Sequence, residues 1–356
     1  MKIGIITFHW ATNYGAILQA FALQTYLKNM GHDVYIINYK PKQYRKNIID
    51  CFSTRKFWLY LSNLKEYFKE QKLNIFRKSF LNETLLYESL DELKSNAPNF
   101  EAYICGSDQV WNPSFTIRGE GKPTSSYFLD FGDDQVKRIA YAVSFGCEKY
   151  PEEASTIAKK YIHNFNAISV RENSGLNIVT KLGFLNPIKL PDPTLLLQRD
   201  EYFFVNTGNV STEKKVFVYI LRKEDKELRN IKTYLGKKFK LDNADKLVNP
   251  YTVEEWVSAI SNASIVLTNS FHGMVFSLIF HVPFIVLLPN EGWAAGMNDR
   301  FKTLLSYLKL EHRILYTYDI DKLGQLIDEQ INWQNIDQRL AELRSESANF
   351  FNTSLN

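Results

Sequence analysis

Short apolar runs alternate along this chain with longer stretches of helical period, the pattern of strands joined by helices. The clearest instance is residues 263–288, ASIVLTNSFHGMVFSLIFHVPFIVLL. Its first apolar run, 265–267, ends in Thr268-Asn269-Ser270, residue types that favour turns and helix caps. Phe271-His272-Gly273 opens an apolar stretch too long for one strand, and Pro283 requires its helix to have ended before the second run, 284–288. Runs without polar alternation predict strands buried on both faces, as in a parallel sheet. Ligands of such a unit bind beyond the carboxyl end of the strand, where the next helix offers free N–H groups and a positive dipole. The pattern therefore predicts an anion site at residues 269–273, with His272 as its titratable group.

The chain opens in the same way. Residues 2–8 predict a buried strand, and Asn13 is placed to cap a helix with Ile17, Leu18, Phe21, Ala22, Tyr26 and Leu27 on one face, stopping at Gly31. A second strand at 34–39 completes βαβ, so the loop 9–15 faces a ligand crevice. That loop has no GxGxxG, which argues against a dinucleotide site. Residues 40–80 depart from the pattern, with eleven Lys/Arg against three acids and aromatics interleaved. They read as the solvated basic face of a helical insertion, or as a docking surface for an anionic membrane or a lipid diphosphate.

A strand at 101–105 delivers the polar loop 106–113. In it Asp108 could cap a helix and Trp111 fill the core, or Asp108 and Asn112 could hold sugar hydroxyls while Trp111 stacks on the ring. A strand at 139–145, a helix at 152–165 and a strand at 167–170 lead to Arg171. An arginine there is either paired to a carboxylate such as Glu172 or held for an anion, and the strand end favours the second use. The prolines around Asp192 and the polar, aperiodic residues 198–215 mark a domain boundary.

A second α/β pattern follows, with strands at 216–221 and 239–241 and helices near 225–235 and 253–261, before the 263–288 unit. The loop 289–299 has the small-residue composition of a lid, Arg300 opens an amphipathic helix, and 336–351 is a final helix. The expected fold class is α/β, two Rossmann-like domains in a GT-B-like arrangement with the active site in the interdomain cleft. The domains are 1–190, carrying the insertion at 40–80, and 200–330, followed by a C-terminal helix at 331–356.

Composition narrows the function classes. At 356 residues there is chain enough for two full cores, and 45% hydrophobic with 23% charged residues is globular. A net charge of +4 is too small to argue for nucleic acid. Phe 25, Tyr 20 and Trp 6 suit stacking on sugars and equally a well-filled core. Cys51, Cys105 and Cys147, an odd set without CxxC, read as reduced cytoplasmic thiols, and no cluster has metal-ligand spacing. No run is long enough to span a bilayer, so membrane contact would be peripheral, at its inner face.

Four motifs in order carry a resemblance: Asn13-Tyr14-Gly15-Ala16-Ile17-Leu18-Gln19, Gly106-Ser107-Asp108-Gln109-Val110-Trp111-Asn112, Ser169-Val170-Arg171-Glu172 and Asn269-Ser270-Phe271-His272-Gly273. Pro191-Asp192-Pro193-Thr194 adds a weaker fifth. Together they resemble the polysaccharide pyruvyl transferase family over roughly residues 1–310. The resemblance implies a transferase that moves the enolpyruvyl carbons of phosphoenolpyruvate onto a sugar, usually as a cyclic ketal, for a capsule, cell-wall or other exopolysaccharide. The partners it implies are phosphoenolpyruvate, a co-substrate with no cofactor beside it, and a saccharide acceptor. A lipid-linked acceptor would suit the basic segment, and nothing in the sequence specifies an oligomer.

By that resemblance Arg171 and His272 would be catalytic and contact phosphoenolpyruvate, with Ser270 and Gly273 beside them. Many members carry Arg-Leu-His where this chain has Ser270-Phe271-His272. Arg300 either supplies the missing charge or merely begins its helix, paired to Asp299. The acceptor side would draw on His9, Asn13, Tyr14, Asp108, Trp111 and Asn112. His272 would move the proton, the usual work of histidine near neutral pH, or hold phosphate as an imidazolium. His281, at a helix end, reads as structural. Two rival functions share these features, a GT-B glycosyltransferase using a nucleotide sugar and a non-catalytic glycan-binding homologue.

Overall fold

In the computed structural model the apolar runs form two all-parallel sheets, with residues 1–44, 57–114, 124–204, 213–222, 224–244, 249–290 and 293–356 described. The chain divides into two units, Met1–Lys46 with Ile75–Leu197 and Ala341–Asn356, and Asn47–Asn74 with Gln198–Leu340.

Unit 1 holds β1 (Lys2–Ile6), β2 (Asp33–Ile36), β3 (Ala102–Cys105), β4 (Lys137–Val143), β5 (Ala167–Val170) and β6 (Ile188–Lys189), in the order β2-β1-β3-β4-β5-β6. β3 is buried at every position and β4 at all but its first, so the sheet is covered on both faces, as continuous apolar runs require. Helix α1 (Tyr14–Asn29) follows β1, and Asn13 caps it by accepting from the Gly15 N–H. The helix ends before Gly31, whose φ of 90° is the left-handed turn that glycine adopts without strain.

Helix α2 (Phe57–Phe80) changes unit at Asn74/Ile75, and residues 45–56 of the basic insertion lie outside the described residues. Two of its cations are already engaged. Arg77, 4% exposed, donates to the carbonyls of His9 and Ala11, and Lys72 donates to Asn249 Oδ1 and the Pro250 carbonyl. The basic count of the sequence therefore overstates the solvated face. Cys105 and Cys147 are free thiols, while Cys51 lies outside the described residues.

Among the described residues unit 1 also holds α3 (Leu90–Ser95), α4 (Glu152–Tyr161) and α5 (Asn173–Leu182). Neither α3 nor α5 is foreseen by the periodicity, and α4 ends earlier than expected, in a 3-10 turn at Ile162–Asn164.

In unit 2, β7 (Lys215–Tyr219), β8 (Lys240–Asn243), β9 (Ile265–Thr268), β10 (Phe284–Leu287) and β11 (Ile314–Leu315) are ordered β11-β10-β9-β7-β8. Helices α6 (Lys226–Gly236), α7 (Val253–Ser261), α8 (Phe271–Ile279), α9 (Asp299–Leu308) and α10 (Ile320–Asp328) join and follow these strands. The strand–helix–strand expectation for residues 263–288 becomes β9-α8-β10. His281 takes a φ of 56° after α8, stacks on Trp333 and bonds Asp337 at 2.8 Å. Among the described residues no helix is long and apolar enough to cross a membrane.

The last helix, α11 (Trp333–Leu355), occupies the stretch that the sequence sets apart as a C-terminal helix. From Ala341 onward it belongs to unit 1, where Phe351 stacks on Tyr141 at 4.7 Å and Ser347 accepts from the Tyr141 hydroxyl. Phe351 is fully buried, so Phe351→Ala should destabilise unit 1 by about 3–5 kcal/mol. Thermal unfolding followed by tryptophan fluorescence checks this, and an unchanged midpoint would make the helix an appendage.

Candidate functional site

In an open parallel sheet the ligand crevice lies beyond the carboxyl ends of the strands, where the strand order reverses. Unit 1 reverses between β1 and β3, and unit 2 between β7 and β9. Both places are occupied by polar side chains, of opposite electrical character.

In unit 1 the polar groups form one connected network. Gln19 Nε2 donates to Thr7 Oγ1, which donates to the Ser107 carbonyl, each at 2.8 Å. Ser107 Oγ reaches Asp192 Oδ2 at 3.2 Å, and Asp192 pairs with Arg171 at 2.7 Å. Asp108 and Glu172 lie 3.6 and 3.9 Å from the same guanidinium. Thr194 satisfies the other oxygen of Asp192 through its N–H and hydroxyl, while Ser144 Oγ and the Phe145 N–H both donate to Glu172 Oε1. Burial alone would lower the Arg171 pKa, but Asp192, Asp108 and Glu172 outweigh it and hold the guanidinium above its ordinary value.

The strand-end arginine thus has carboxylates on several sides, the first of the two uses that its position allowed. The partner that neutralises it most closely is Asp192, a residue the sequence reading had left without a role. Its signal was there in Asp192-Pro193-Thr194, where an aspartate side chain accepts from the backbone two residues on.

Most of the residues expected on the acceptor side are buried or engaged within unit 1. Trp111 is fully buried, stacked on Phe128 at 4.8 Å with its indole N–H on the Tyr127 carbonyl, so no face is open to a sugar. Asn112 is 2% exposed and holds Gln109 and the Ser114 N–H. Tyr14 is 1% exposed, and half-buried Asn13 is engaged as the α1 cap. His9 is buried between the Thr7 carbonyl and Asn38. Burial and then the nearby Arg77 lower its pKa to about 4, so its 3.5 Å contact with Glu83 is made by a neutral ring. Asp108 remains, at the end of β3 with a φ of 77° and its side chain 17% exposed.

In unit 2, Thr268 Oγ1 donates to the Tyr219 carbonyl and accepts from the Ser270 N–H, closing the end of β9 against β7. Asn269 Oδ1 accepts from the Leu221 N–H across the same strand ends. Ser270 is the N-cap of α8, accepting from the Gly273 N–H. A Cβ at Gly273 would lie 2.5 Å from Thr268 Oγ1, so only glycine lets the first turn approach the strand this closely. His272, 5% exposed, stands edge-on to Phe271. Arg300, in the first turn of α9, lies over both Phe271 and Phe301, with its guanidinium carbon 5.7 and 5.4 Å from the ring centres. The stem of the preceding loop is tied by Asn298 Nδ2 donating to the Pro289 carbonyl, and residues 291–292 of that loop lie outside the described residues. Ser270 caps α8 and His272 and Gly273 lie in its first turn, with Arg300 against Phe271 of the same turn, and Arg171 belongs to a different unit.

The profile of the family described as polysaccharide pyruvyl transferase matches residues 13–291 of the chain. The chain belongs to the polysaccharide pyruvyl transferase family. A comparison with curated protein sequences finds no match. Among solved structures, the S. aureus MnaA–UDP co-structure is 12% identical over 100% of this chain and 97% of that one, with a TM-score of 0.53. A Listeria monocytogenes protein assigned as a UDP-N-acetylglucosamine 2-epimerase is 10% identical over 96% and 90%, with a TM-score of 0.50. E. coli heptosyltransferase WaaC with ADP is 12% identical over 96% and 100%, at 0.41. At these identities the likeness speaks for fold alone, and the fold of this pyruvyl transferase family member is GT-B-like, built of two Rossmann-like α/β domains.

Two predictions follow from unit 1. Arg171→Ala leaves buried carboxylates without their counter-ion and should cost about 3–5 kcal/mol, read as a lowered melting temperature, with Arg171→Lys losing less. His9 is neutral in the folded state down to about pH 4 but protonates near 6.5 when unfolded. Its contribution is therefore complete above pH 6.5 and is lost as the pH falls toward 4, by up to roughly 3 kcal/mol. Glu83, whose carboxyl is pushed up mainly by burial, works in the opposite sense, so the comparison is made against a variant. Urea midpoints between pH 7 and 4 should fall more steeply for the native chain than for His9→Asn, and parallel curves would refute the assignment.

Proposed function

We propose that the protein transfers the enolpyruvyl group of phosphoenolpyruvate to a sugar of a cell-surface polysaccharide or of its lipid-linked precursor, closing a cyclic ketal. Family membership gives the reaction class. The observation that supports the donor assignment is that Arg300 lies over Phe271, the neighbour of His272 in the first turn of α8, at the strand-order reversal of unit 2.

Phosphoenolpyruvate presents a phosphate and a carboxylate on one small frame. Helix N–H groups and a guanidinium are the donors such anions need. In this reading the first turn of α8 and Arg300 hold the donor, and Arg300 supplies the charge that position 270 lacks. The chemistry requires a proton on the methylene carbon, which makes the adjacent carbon electrophilic. One sugar hydroxyl adds there and gives up its proton. Phosphate then departs with its bridging oxygen, and the second hydroxyl closes the ring. No electrons change hands. His272 is the proton donor, the role that a histidine beside bound phosphate can fill near neutral pH.

Thermal-shift titration tests the donor assignment. At a hundredfold excess over its dissociation constant a ligand stabilises the native state by about 2.7 kcal/mol, so phosphoenolpyruvate should raise the melting temperature. His272→Ala and Arg300→Ala should weaken that response by at least about tenfold in concentration, the scale of a lost charge-assisted contact. A shift produced by UDP- or GDP-sugars and not by phosphoenolpyruvate would replace this function with nucleotide-sugar glycosyl transfer.

A further inference from the structure

Strand β7 alternates its side chains across the unit 2 sheet, so Lys215, Phe217 and Tyr219 share one face, and Asp242 joins them as the register partner of Phe217 on β8. Helix α7 covers that face. Near the carboxyl end of β7 the space between helix and sheet is filled by Trp256, fully buried and edge-on to Tyr219 at 5.2 Å. Toward the amino end α7 and its C-cap present Ser258, Ala259 and Asn262 instead, and these short side chains leave a cavity of about 350 Å³. Packing alone would favour a large apolar residue at position 259, since protein interiors are filled to crystal-like density.

Phe217, 1% exposed, forms the floor of the cavity, and the more exposed Lys215 and Glu255 stand at its mouth. Tyr251 forms a wall, edge-on to Phe217 at 5.9 Å, with its hydroxyl 2.6 Å from both oxygens of Asp242. Lys72 fastens that wall by donating to Asn249 Oδ1 and the Pro250 carbonyl. Glu255 accepts from the Thr252 N–H and lies 3.8 Å from Lys72, and Lys215 lies 3.8 Å from Glu213. Each charged group at the cavity thus has a partner in the protein, and what faces a ligand is chiefly ring surface bordered by hydroxyl and amide groups.

We infer that this cavity is a second saccharide site, taking an uncharged pyranose unit of the glycan away from the residue that is modified; this rests on the polysaccharide-substrate reading of the family. A pyranose has an apolar C–H face that displaces water from the rings of Phe217 and Tyr251, and a rim of hydroxyls that both donate and accept. The volume is at the lower end of the range for small-molecule sites, the size that suits a single sugar unit. Lys215 opens β7 and Ala263 precedes β9, so the site lies toward the amino ends of the strands, opposite the end where Ser270 and His272 stand. A polymer held there makes its further encounters with the protein intramolecular, which raises their effective concentration without any part in the chemistry.

Saturation-transfer NMR on the full chain tests this with methyl β-D-glucoside, methyl β-D-galactoside and methyl α-D-mannoside. At least one should give signal, and excess phosphoenolpyruvate should not displace it. Ala259→Trp places an indole in the cavity from a partly exposed position of α7 and should abolish most of that signal. Tyr251→Phe, a milder change, removes the hydroxyl that holds Asp242 and should weaken binding by about two- to tenfold, the range of one lost hydrogen bond. Both variants should keep the thermal response to phosphoenolpyruvate. Silence from all three glycosides would overturn the inference, and so would displacement by phosphoenolpyruvate. Signal undiminished in Ala259→Trp would do the same, and if that variant fails to fold, undiminished signal in Tyr251→Phe decides. Absence of the phosphoenolpyruvate shift in the native protein would instead sink the donor reading, independently of the glycoside signals.

Discussion

A guanidinium removed from water must have its charge balanced by groups in contact with it, and the carboxyl edge of unit 1 is arranged around that need. Arg171 draws Asp192, Asp108 and Glu172 from three separate loops, and Ser107, Ser144 and Thr194 complete the carboxylates that complete the arginine. Through Ser107 and Thr7 the network runs back to Gln19 in α1, so it links the ends of β1, β3, β4 and β5. An apolar core would hold these strands at least as firmly, because burying charges gives back much of what their attraction provides. What the ionic arrangement adds is a carboxylate fixed in direction at the mouth of the sheet.

Unit 2 meets the same geometric problem with the opposite sign. Its strand ends are closed by neutral groups, Thr268, Asn269 and Ser270. Gly273 lets the first turn of α8 sit tight against Thr268, which brings the helix dipole to the edge of the sheet. Two α/β units of one topology class therefore carry strand-end chemistry suited to different ligands.

Much of the fold was legible because its causes are local. Continuous apolar runs gave the parallel strands, Asn13 and Ser270 stood where caps were needed, and Pro283 closed α8. The missed helix α5 begins in polar residues and contains Gly175, which a periodicity search discounts; a Cβ there would sit 3.0 Å from Val170 Cβ, so the glycine serves packing. The site was legible in its motifs but not in its contacts. Asp192 lies 21 residues from Arg171, and no local pattern says which carboxylate an arginine will find. Trp111 could not be sorted from a sugar platform by sequence, since the rings of Phe128, Phe145 and Phe165 that bury it come from elsewhere in the chain.

Charge counted along a sequence is a poor guide to anion binding, and the arginines show why. Arg77 spends its donors on two carbonyls, Arg171 on carboxylates, and Arg313, fully buried, on the Phe284 and Leu326 carbonyls and Glu329. Arg300 differs in setting. It lies over the faces of Phe271 and Phe301 and occupies the first turn of a helix. A cation at that end opposes the helix dipole and costs about 0.3–1 kcal/mol, a placement that stability alone would not favour. Beside the N-terminus of a second helix, the cost is offset once an anion binds.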